Sequence, residues 1–329
     1  MNGKIVTCLK DVTLGAPQTY RGIAAIPLTD GDAGGITYIS LSEALEGRLL
    51  SVTEVSQGGS VPELKVTNSA DTPVLLLDGE ELAGAKQNRV LNTTVLVPEK
   101  QTIVIPVSCT EQGRWAYATP AFYDSGTIMA HSIRSRKSYA VSASLSDSAS
   151  FRSNQGEVWD LVSSLQEASR VSSATGAMRD VFESHRGALD EAAAAFPAVA
   201  GQIGILVVRN GEAIGFDLVS RAAAYGRVHG RLVRSYVMDA LVGKEGVAAS
   251  AEAVTMAGRG FIDLALGCEE KVFKSVGYGD DHRFKGGQVV GSALIHNDTV
   301  IHTSFFLLAE ARSEGRMAGM NRRRSYRVD

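Results

Sequence analysis

Cysteine is scarce in this sequence of 329 residues, which holds only three: Cys8, Cys109 and Cys268. The number is odd and the spacing is wide, so neither a disulfide framework nor a zinc-ligand pattern follows. Because disulfides are rare in the reducing cytoplasm, we expect a cytoplasmic protein. Histidine is also sparse and scattered, and no two histidines have the spacing of a zinc site. We therefore expect no protein-only metal site.

Long apolar runs are missing as well. No window approaches the roughly 20 apolar residues that a membrane-spanning helix needs, and residues 1–6 lack the apolar core of a secretory signal. The formal net charge of −3 gives the protein no electrostatic attraction to nucleic acid or anionic membranes. The run Arg322–Arg324 could touch RNA or an acidic partner, although a short disordered tail is the usual explanation. We expect neither a membrane nor a nucleic-acid partner.

The first 123 residues have the pattern of β-structure. Hydrophobic residues make up 44% of the chain and charged residues 21%, which is ordinary for a globular protein with a full core. Alternating and β-branched runs predict strands, which are Thr37–Ser40, Leu64–Thr67, Val74–Leu77, Thr93–Val97 and Thr102–Val107. Clusters of Gly and Asp separate them. A small antiparallel sandwich or barrel is the natural interpretation.

The remainder mixes helices and hairpins. Residues 124–153 are rich in serine and poor in apolar residues, which predicts a long loop. A helix is predicted to begin after Asn154, a second to run from Met178 to Phe196, and a third to cover 221–242. Asn210-Gly211 predicts a tight hairpin, and a second hairpin is predicted around 297–298. Because strands and helices do not alternate regularly, the fold class is α+β, with one integrated domain over 1–312 and a basic tail over 313–329.

Residues 78–115 hold the densest set of polar side chains beside predicted strands. Charged groups are costly to bury unless they pair with each other or with a ligand. Glu80 and Glu81 are adjacent, so only one of them would face a pocket, where it would act as a general acid or base. A solvated acidic turn is the alternative for both.

The segment Lys86-Gln87-Asn88-Arg89 offers cations for phosphate and amides for sugar hydroxyls, and a polar loop between strands is the alternative. Farther along, Glu111 and Arg114 are candidates for catalysis and for phosphate binding, and a mutual ion pair is their alternative.

Three more residues are weaker candidates. Cys109 lies near Arg114 in sequence, but no histidine is close to it, and packing is its more frequent role. Asp217 interrupts an apolar strand and therefore needs a partner. His302, also in an apolar strand, would be either a general base or a hydrogen-bonded core residue.

The stretch from Leu76 to Trp115, with its Asp78-Gly79-Glu80-Glu81 and Cys109-Thr110-Glu111-Gln112-Gly113-Arg114 segments, resembles a known family. This is the ARG and rhodanese-phosphatase-superfamily-associated protein domain, in which ARG denotes ADP-ribosylglycohydrolase. The resemblance continues through Gln155–Trp159 and Gly215–Leu218 to Val300–His302, and so covers most of the chain.

The resemblance implies that the protein handles ADP-ribose or a related NAD-derived phosphorylated nucleotide. The expected activity is that of a hydrolase or transferase, with Glu111 or Glu80 as acid and base. Arg89, Arg114 and Lys86 would bind phosphate, while Gln87 and Asn88 would orient ribose hydroxyls. Mg²⁺ could be held through the phosphates. A sensor without catalysis, or a scaffold for partner enzymes, are the alternatives.

Overall fold

The computed structural model describes residues 1–29, 35–243, 246–247 and 249–308. The predicted tail over 313–329 lies outside these residues. The helices are α1 (Gly3–Asp11), α2 (Leu41–Glu46), α3 (His131–Ser148), α4 (Gln155–Ser169), α5 (Met178–Ser184), α6 (Arg186–Ala195), α7 (Ala222–Val242) and α8 (Ala251–Leu266).

The strands before α3 are β1 (Thr13–Leu14), β2 (Gln18–Tyr20), β3 (Ile23–Thr29), β4 (Ile39–Ser40), β5 (Leu50–Glu54), β6 (Glu63–Asn68), β7 (Val74–Leu76), β8 (Glu80–Gly84), β9 (Arg89–Leu91), β10 (Val95–Val97), β11 (Thr102–Cys109) and β12 (Phe122–Ile128). Those after α6 are β13 (Gly204–Arg209), β14 (Glu212–Val219), β15 (Glu269–Lys274), β16 (Asp280–Gly286), β17 (Val289–His296) and β18 (Thr299–Leu307). The α+β class is confirmed.

Three sheets organise the described chain. A nine-stranded antiparallel sheet has the order β1-β3-β13-β14-β18-β17-β16-β15, with β2 also paired to β3. A six-stranded antiparallel sheet has the order β12-β8-β9-β11-β6-β5, and a three-stranded sheet the order β10-β7-β4. Strand β12 is therefore an edge strand of the six-stranded sheet, a position where irregular geometry is tolerated.

The large sheet is covered on both faces. On one face α1 and α8 pack over a core that includes Phe216, Phe284 and Phe305, whose rings stack. The opposite face packs against α7 and α3, and the three helices α4 to α6 join the same core. A third core lies between the smaller sheets. Among the described residues, no helix has the length and apolar character to span a bilayer.

Several local predictions are confirmed. The side chain of Asn154 accepts a hydrogen bond from the backbone N–H of Glu157 and caps α4. Asn210 and Gly211 have φ values of 54° and 79°, as a primed hairpin turn between β13 and β14 requires. The helix predicted from Met178 to Phe196 is instead two helices, because the chain leaves helical geometry at His185.

The predicted loop over 124–153 is wrong. Its first residues belong to β12, and residues 131–148 form α3. Serine hydroxyls such as those of Ser142 and Ser146 donate to carbonyls four residues earlier, so they are satisfied within the helix. The helix is held by Ile133, Val141 and Leu145, which are buried at helical spacing. The single-domain organisation stays a prediction.

Candidate functional site

A β-bulge in β12 shapes the surface around the best candidate site. Pairing between β12 and β8 shifts register between Asp124 and Ile128. Gly126 has a φ of +74°, the Asp124 side chain accepts from its N–H at 2.9 Å, and the Ser125 hydroxyl accepts from Thr127 N–H at 3.1 Å. Bulges frequently occur beside active sites because they redirect side chains. Here the bulge lies opposite the start of β8, which carries Glu80 and Glu81.

Two neighbouring depressions of about 310 Å³ each flank this bulge and share the Glu183 side chain. We call their common surface the arginine groove. It is formed by Tyr123 and residues 125–128 of β12, Arg179 and Glu183 of α5, Arg186 and Asp190 of α6, and Arg231 and Arg234 of α7, and at its far end reaches Glu111, Arg114 and Thr175. The volume of each depression alone is at the lower end of the range typical of small-molecule sites.

Glu80 and Glu81 point to opposite sides of β8, as their adjacency predicts. Glu80 is 1% exposed, and its Oε2 accepts from the backbone N–H of Leu77 at 2.8 Å. Its Oε1 lies 3.6 Å from Nη1 of Arg231, whose Nη2 contacts Asp124 at 2.7 Å. Burial and the neighbouring Asp124 charge raise the pKa of Glu80 to about 8, although Arg231 opposes the shift.

Glu81 is fully buried on the other side of the strand. Thr110 donates to its Oε1 at 2.6 Å, whereas no group in the described chain meets hydrogen-bond geometry at Oε2. Burial raises its pKa to about 7, while Thr110, Ser125 and Arg179 act in the opposite direction. A carboxyl with a pKa near neutrality can both donate and accept a proton.

Arginine side chains give the groove its chemical character. Arg234 contacts Asp190 at 2.7 Å, Arg186 contacts Glu183, and Arg179 donates to the Tyr123 hydroxyl at 2.8 Å. Nη1 of Arg231 has no hydrogen-bond acceptor within the described residues. Guanidinium groups bind phosphate and carboxylate through paired N–H donors, so the groove suits an anionic ligand.

Glu111 and Arg114 form the mutual ion pair that was their alternative interpretation. Arg114 donates to both carboxylate oxygens, at 2.9 Å from Nε and 2.6 Å from Nη2. Its other donors reach the carbonyls of Ala85 and Ala116 and the side-chain oxygen of Asn88. Burial alone would raise the pKa of Glu111, but hydrogen bonds from Arg114 and Thr175 outweigh it and lower that pKa. The pair is thus held in its charged form.

Gln87, Arg89 and Cys109 are buried nearby, whereas Lys86 is partly exposed, and Lys86 and Arg89 lie against the Trp115 ring. Lys86 donates to the carbonyl of Gly58 at 2.7 Å, and Gln87 accepts from Arg89 at 3.0 Å. Cys109 is paired across the strands with Arg89, yet burial outweighs that charge and raises the thiol pKa to about 11. A neutral thiol is a poor nucleophile.

Asp217 and His302 meet in the interior, away from the groove. Asp217 accepts from both terminal nitrogens of Arg134, at 2.7 and 3.1 Å, and from the Tyr236 hydroxyl at 2.7 Å. His302 lies 3.3 Å from the same carboxylate and 2.8 Å from Thr94. Burial opposes ionisation, but Arg134 and His302 hold the pKa of Asp217 well below its usual value.

A second buried ion pair joins this network to the N-terminal strands. Lys137 of α3 contacts Asp78, which precedes β8. Arg134 also approaches the Asp78 carboxylate, at 3.9 Å. The network therefore connects α3, α7, the large sheet and the N-terminal strands. We interpret it as a structural network that holds these elements together.

The sequence predicts Glu80 as a catalytic residue, which stays a prediction, and it does not predict the groove around Glu80. Local patterns give no signal for the arginines of α5, α6 and α7 as site residues. Arg231 is remote from Glu80 in sequence and reaches it only after α7 packs beside β12, so local patterns carried no signal for the pair. Among the described residues, no group of three or more His, Cys, Asp or Glu side chains could hold a metal ion.

The chain belongs to the ARG and Rhodanese-Phosphatase-superfamily-associated Protein domain family, whose model matches residues 11–306. The family resemblance read from the sequence is thereby confirmed. The family's name associates the chain with the ARG and rhodanese-phosphatase superfamilies. No curated protein and no solved structure matches it significantly.

Proposed function

We propose that the arginine groove binds a phosphorylated sugar nucleotide of the ADP-ribose type, and that the protein is a hydrolase or transferase acting on it. The observation that supports this most is the pair of buried carboxyls behind the groove, Glu80 and Glu81, with pKa values raised to about 8 and about 7. Carboxyls with strongly perturbed pKa values beside a groove are candidates for acid–base sites.

In this proposal Glu81 transfers the proton. At neutral pH it is close to half protonated, which suits a group that gives a proton to a leaving oxygen or takes one from an attacking hydroxyl. Ser125 lines the groove and lies near enough to Glu81 to affect its pKa. Its hydroxyl would relay the proton between the buried carboxyl and the ligand. Glu80, protonated at neutral pH, would be a second donor.

The arginines would bind the phosphates. Arg231 pairs with Asp124 through its Nη2. Arg186 and Arg234 pair with the groove's own carboxylates Glu183 and Asp190. A phosphate can replace such a carboxylate because it offers the same paired acceptors. Arg114, first considered for this role, already uses its donors within the fold. We therefore assign phosphate binding to Arg186, Arg231 and Arg234.

A binding protein without turnover is the second candidate. It is favoured by the burial of both carboxyls, which are 1% and 0% exposed. A sensor would use the same arginines for its ligand but would leave the bonds of that ligand intact.

Ligand binding is tested by thermal shift with ADP-ribose, NAD⁺, AMP and ribose 5-phosphate, each with and without Mg²⁺. A ligand at one hundred times its Kd should stabilise the protein by about 2.7 kcal/mol. We expect Arg231→Ala to lose this shift. Arg227→Ala is the matched control, since Arg227 lies one turn away on α7, is 56% exposed and pairs with Glu43. No shift with any of these compounds would refute the proposal.

Turnover separates the two candidates. We expect product formation from the ligand that binds, lost in Glu81→Gln while binding remains. Binding without product in the wild-type protein would favour the sensor. Normal turnover by Glu81→Gln would remove Glu81 from the mechanism.

A further inference from the structure

A depression of about 310 Å³ lies between α3 and the β15 edge of the large sheet. None of the described residues that line it belongs to the arginine groove. One wall is a face of α3, with Tyr139, Ser142, Ala143 and Ser146 at helical spacing, and the other wall is formed by β15 and β16. The surface is mainly apolar, whereas that of the arginine groove is mainly polar. A concave and mainly apolar surface with a few charged groups is typical of a small-molecule site.

Arg283 of β16 lines this depression and keeps part of its guanidinium unused. Its side chain is only 4% exposed, and its Nε and Nη2 donate to the Asp281 carboxylate at 2.5 and 2.9 Å. Nη2 also donates to the Thr93 hydroxyl at 2.6 Å. Nη1 makes no hydrogen bond with any described residue, and it retains surface that water can reach. A nearly buried donor that lacks an acceptor indicates a place for a further polar group.

Two lysines reach across the depression from the strands to α3, and both have neutral partners. Nζ of Lys271 donates to the Ser146 hydroxyl at 3.1 Å. Nζ of Lys285 donates to the Tyr139 hydroxyl at 3.3 Å and lies 4.8 Å from the centre of that ring. No carboxylate of the described chain forms an ion pair with either ammonium group. Hydrogen bonds between two charged groups are stronger than those to a hydroxyl, so a ligand carboxylate can replace these partners.

The charges around the depression do not balance. Glu269 lies on the same face of the sheet as the two lysines and also lines the depression. Glu270 points to the opposite face, where it pairs with His282. Asp281 is occupied by Arg283. Three cations therefore face two carboxylates, which leaves one positive charge for a ligand to neutralise.

We propose that this depression binds a monocarboxylate with a small apolar body, either a chain or a ring. Lys271 and Arg283 are directly opposite each other on β15 and β16, so one carboxylate can accept from Nζ of the first and Nη1 of the second. The apolar body would lie against Ala143 and Tyr139 of α3. This site is separate from the arginine groove and does not depend on the function proposed for it.

The experiment compares hexanoate and benzoate with hexanol and benzyl alcohol, which have similar apolar bodies but no charge. Ligand-observed NMR titrations at constant ionic strength give each dissociation constant. We expect the acid whose body fits to bind at least ~10-fold more tightly than its alcohol, as a charged hydrogen bond allows. Tighter binding of hexanoate identifies a chain as the body, and tighter binding of benzoate identifies a ring. No saturable binding of either acid, or equal binding of acid and alcohol, would overturn the proposal.

Lys271→Gln tests the role of the charge. We expect this variant to bind the acid ~10-fold more weakly and the alcohol as the wild type does. Lys274→Gln is the matched control, because Lys274 is exposed on the same strand but lies on the opposite face and pairs with Asp280. An equal loss in both variants would reveal a general effect of protein charge and would contradict the site.

Ala143→Trp tests the location. Ala143 is exposed on α3, so an indole there can fill the depression without disturbing the core. We expect this variant to lose the acid and the alcohol alike, whereas Ala168→Trp, at an exposed alanine of α4, should keep both. Acid binding that survives in Ala143→Trp would lie elsewhere on the protein, and the proposal would then be wrong.

Discussion

Glu81→Gln should make the protein's stability less dependent on pH. Burial raises the pKa of this carboxyl from its usual 4.5 to about 7, so the folded state binds the proton more tightly than the unfolded state. The wild-type protein therefore loses stability as the pH rises from the unfolded value through the folded one. Because one pKa unit corresponds to about 1.4 kcal/mol, the full loss is about 3 kcal/mol, an order-of-magnitude figure.

Urea denaturation of both proteins between pH 5 and pH 8 measures this effect. We expect the free energy of unfolding of Glu81→Gln to gain about 2.5 kcal/mol relative to the wild type over that interval. A constant cost of the new amide group, such as unpaired N–H donors, cancels in this difference. Glu80 titrates in both proteins and cancels in the same way. A difference that stays flat between pH 5 and pH 8 would refute the raised pKa and with it the acid–base role.

Glu111→Gln is the matched control, since it changes the same residue type in the same part of the fold. Its effect on the pH dependence of the free energy of unfolding should have the opposite sign. The pKa of Glu111 is lowered, so the folded state favours the carboxylate and its contribution is present above the unfolded pKa. Removing it weakens the paired hydrogen bonds from Arg114, which should cost about 1–3 kcal/mol at neutral pH. This deficit should shrink as the pH falls through the ordinary range of glutamate.

Three further predictions concern the fold and are measured by urea denaturation. Asp217→Ala should destabilise the protein by about 3–5 kcal/mol because it leaves Arg134 buried without its partner, whereas Asp190→Ala, at the same 2.7 Å from an arginine but 53% exposed, should cost less than about 1 kcal/mol. Gly79→Ala should cost more than about 1 kcal/mol, since φ is +88° and the new Cβ would lie 2.7 Å from Nε of Arg134. Phe305→Ala should cost about 3–5 kcal/mol, because the ring is fully buried between two stacked phenylalanines.

Local chemistry explains the elements that the sequence predicts well. The hairpin at Asn210-Gly211 needs positive φ at two successive residues, and Asn-Gly is the pair that adopts this at least cost. The start of α4 follows from one side-chain acceptor at Asn154. Both depend on a few neighbouring residues, so the sequence alone suffices.

The elements and sites that the sequence does not predict depend on distant partners. Serine-rich α3 has weak helical patterning of its own, and its Arg134 and Lys137 are buried only because Asp217 and Asp78 arrive from other elements. The arginine groove likewise forms from β12 and three helices that are separated in the chain. Glu111 and Arg114 are close in sequence and form an ion pair with each other, and their role toward a ligand stays a prediction.

The carboxyls of this protein differ in whether partners offset the cost of their burial. That difference supports the assignment of proton transfer to Glu81. Asp217 and Glu111 are fully paired with arginine, and their charged forms are stabilised. Glu81 is equally buried, yet one of its oxygens has no hydrogen bond from the described residues. The raised pKa of Glu81 lowers the free energy of unfolding by about 3 kcal/mol above neutral pH. That loss is a large part of the roughly 5–15 kcal/mol that typically separates folded from unfolded protein. Groups that cost stability are kept where activity requires them. A Glu81→Gln variant that is more stable at pH 8 and inactive would show directly that Glu81 lowers stability and is required for activity.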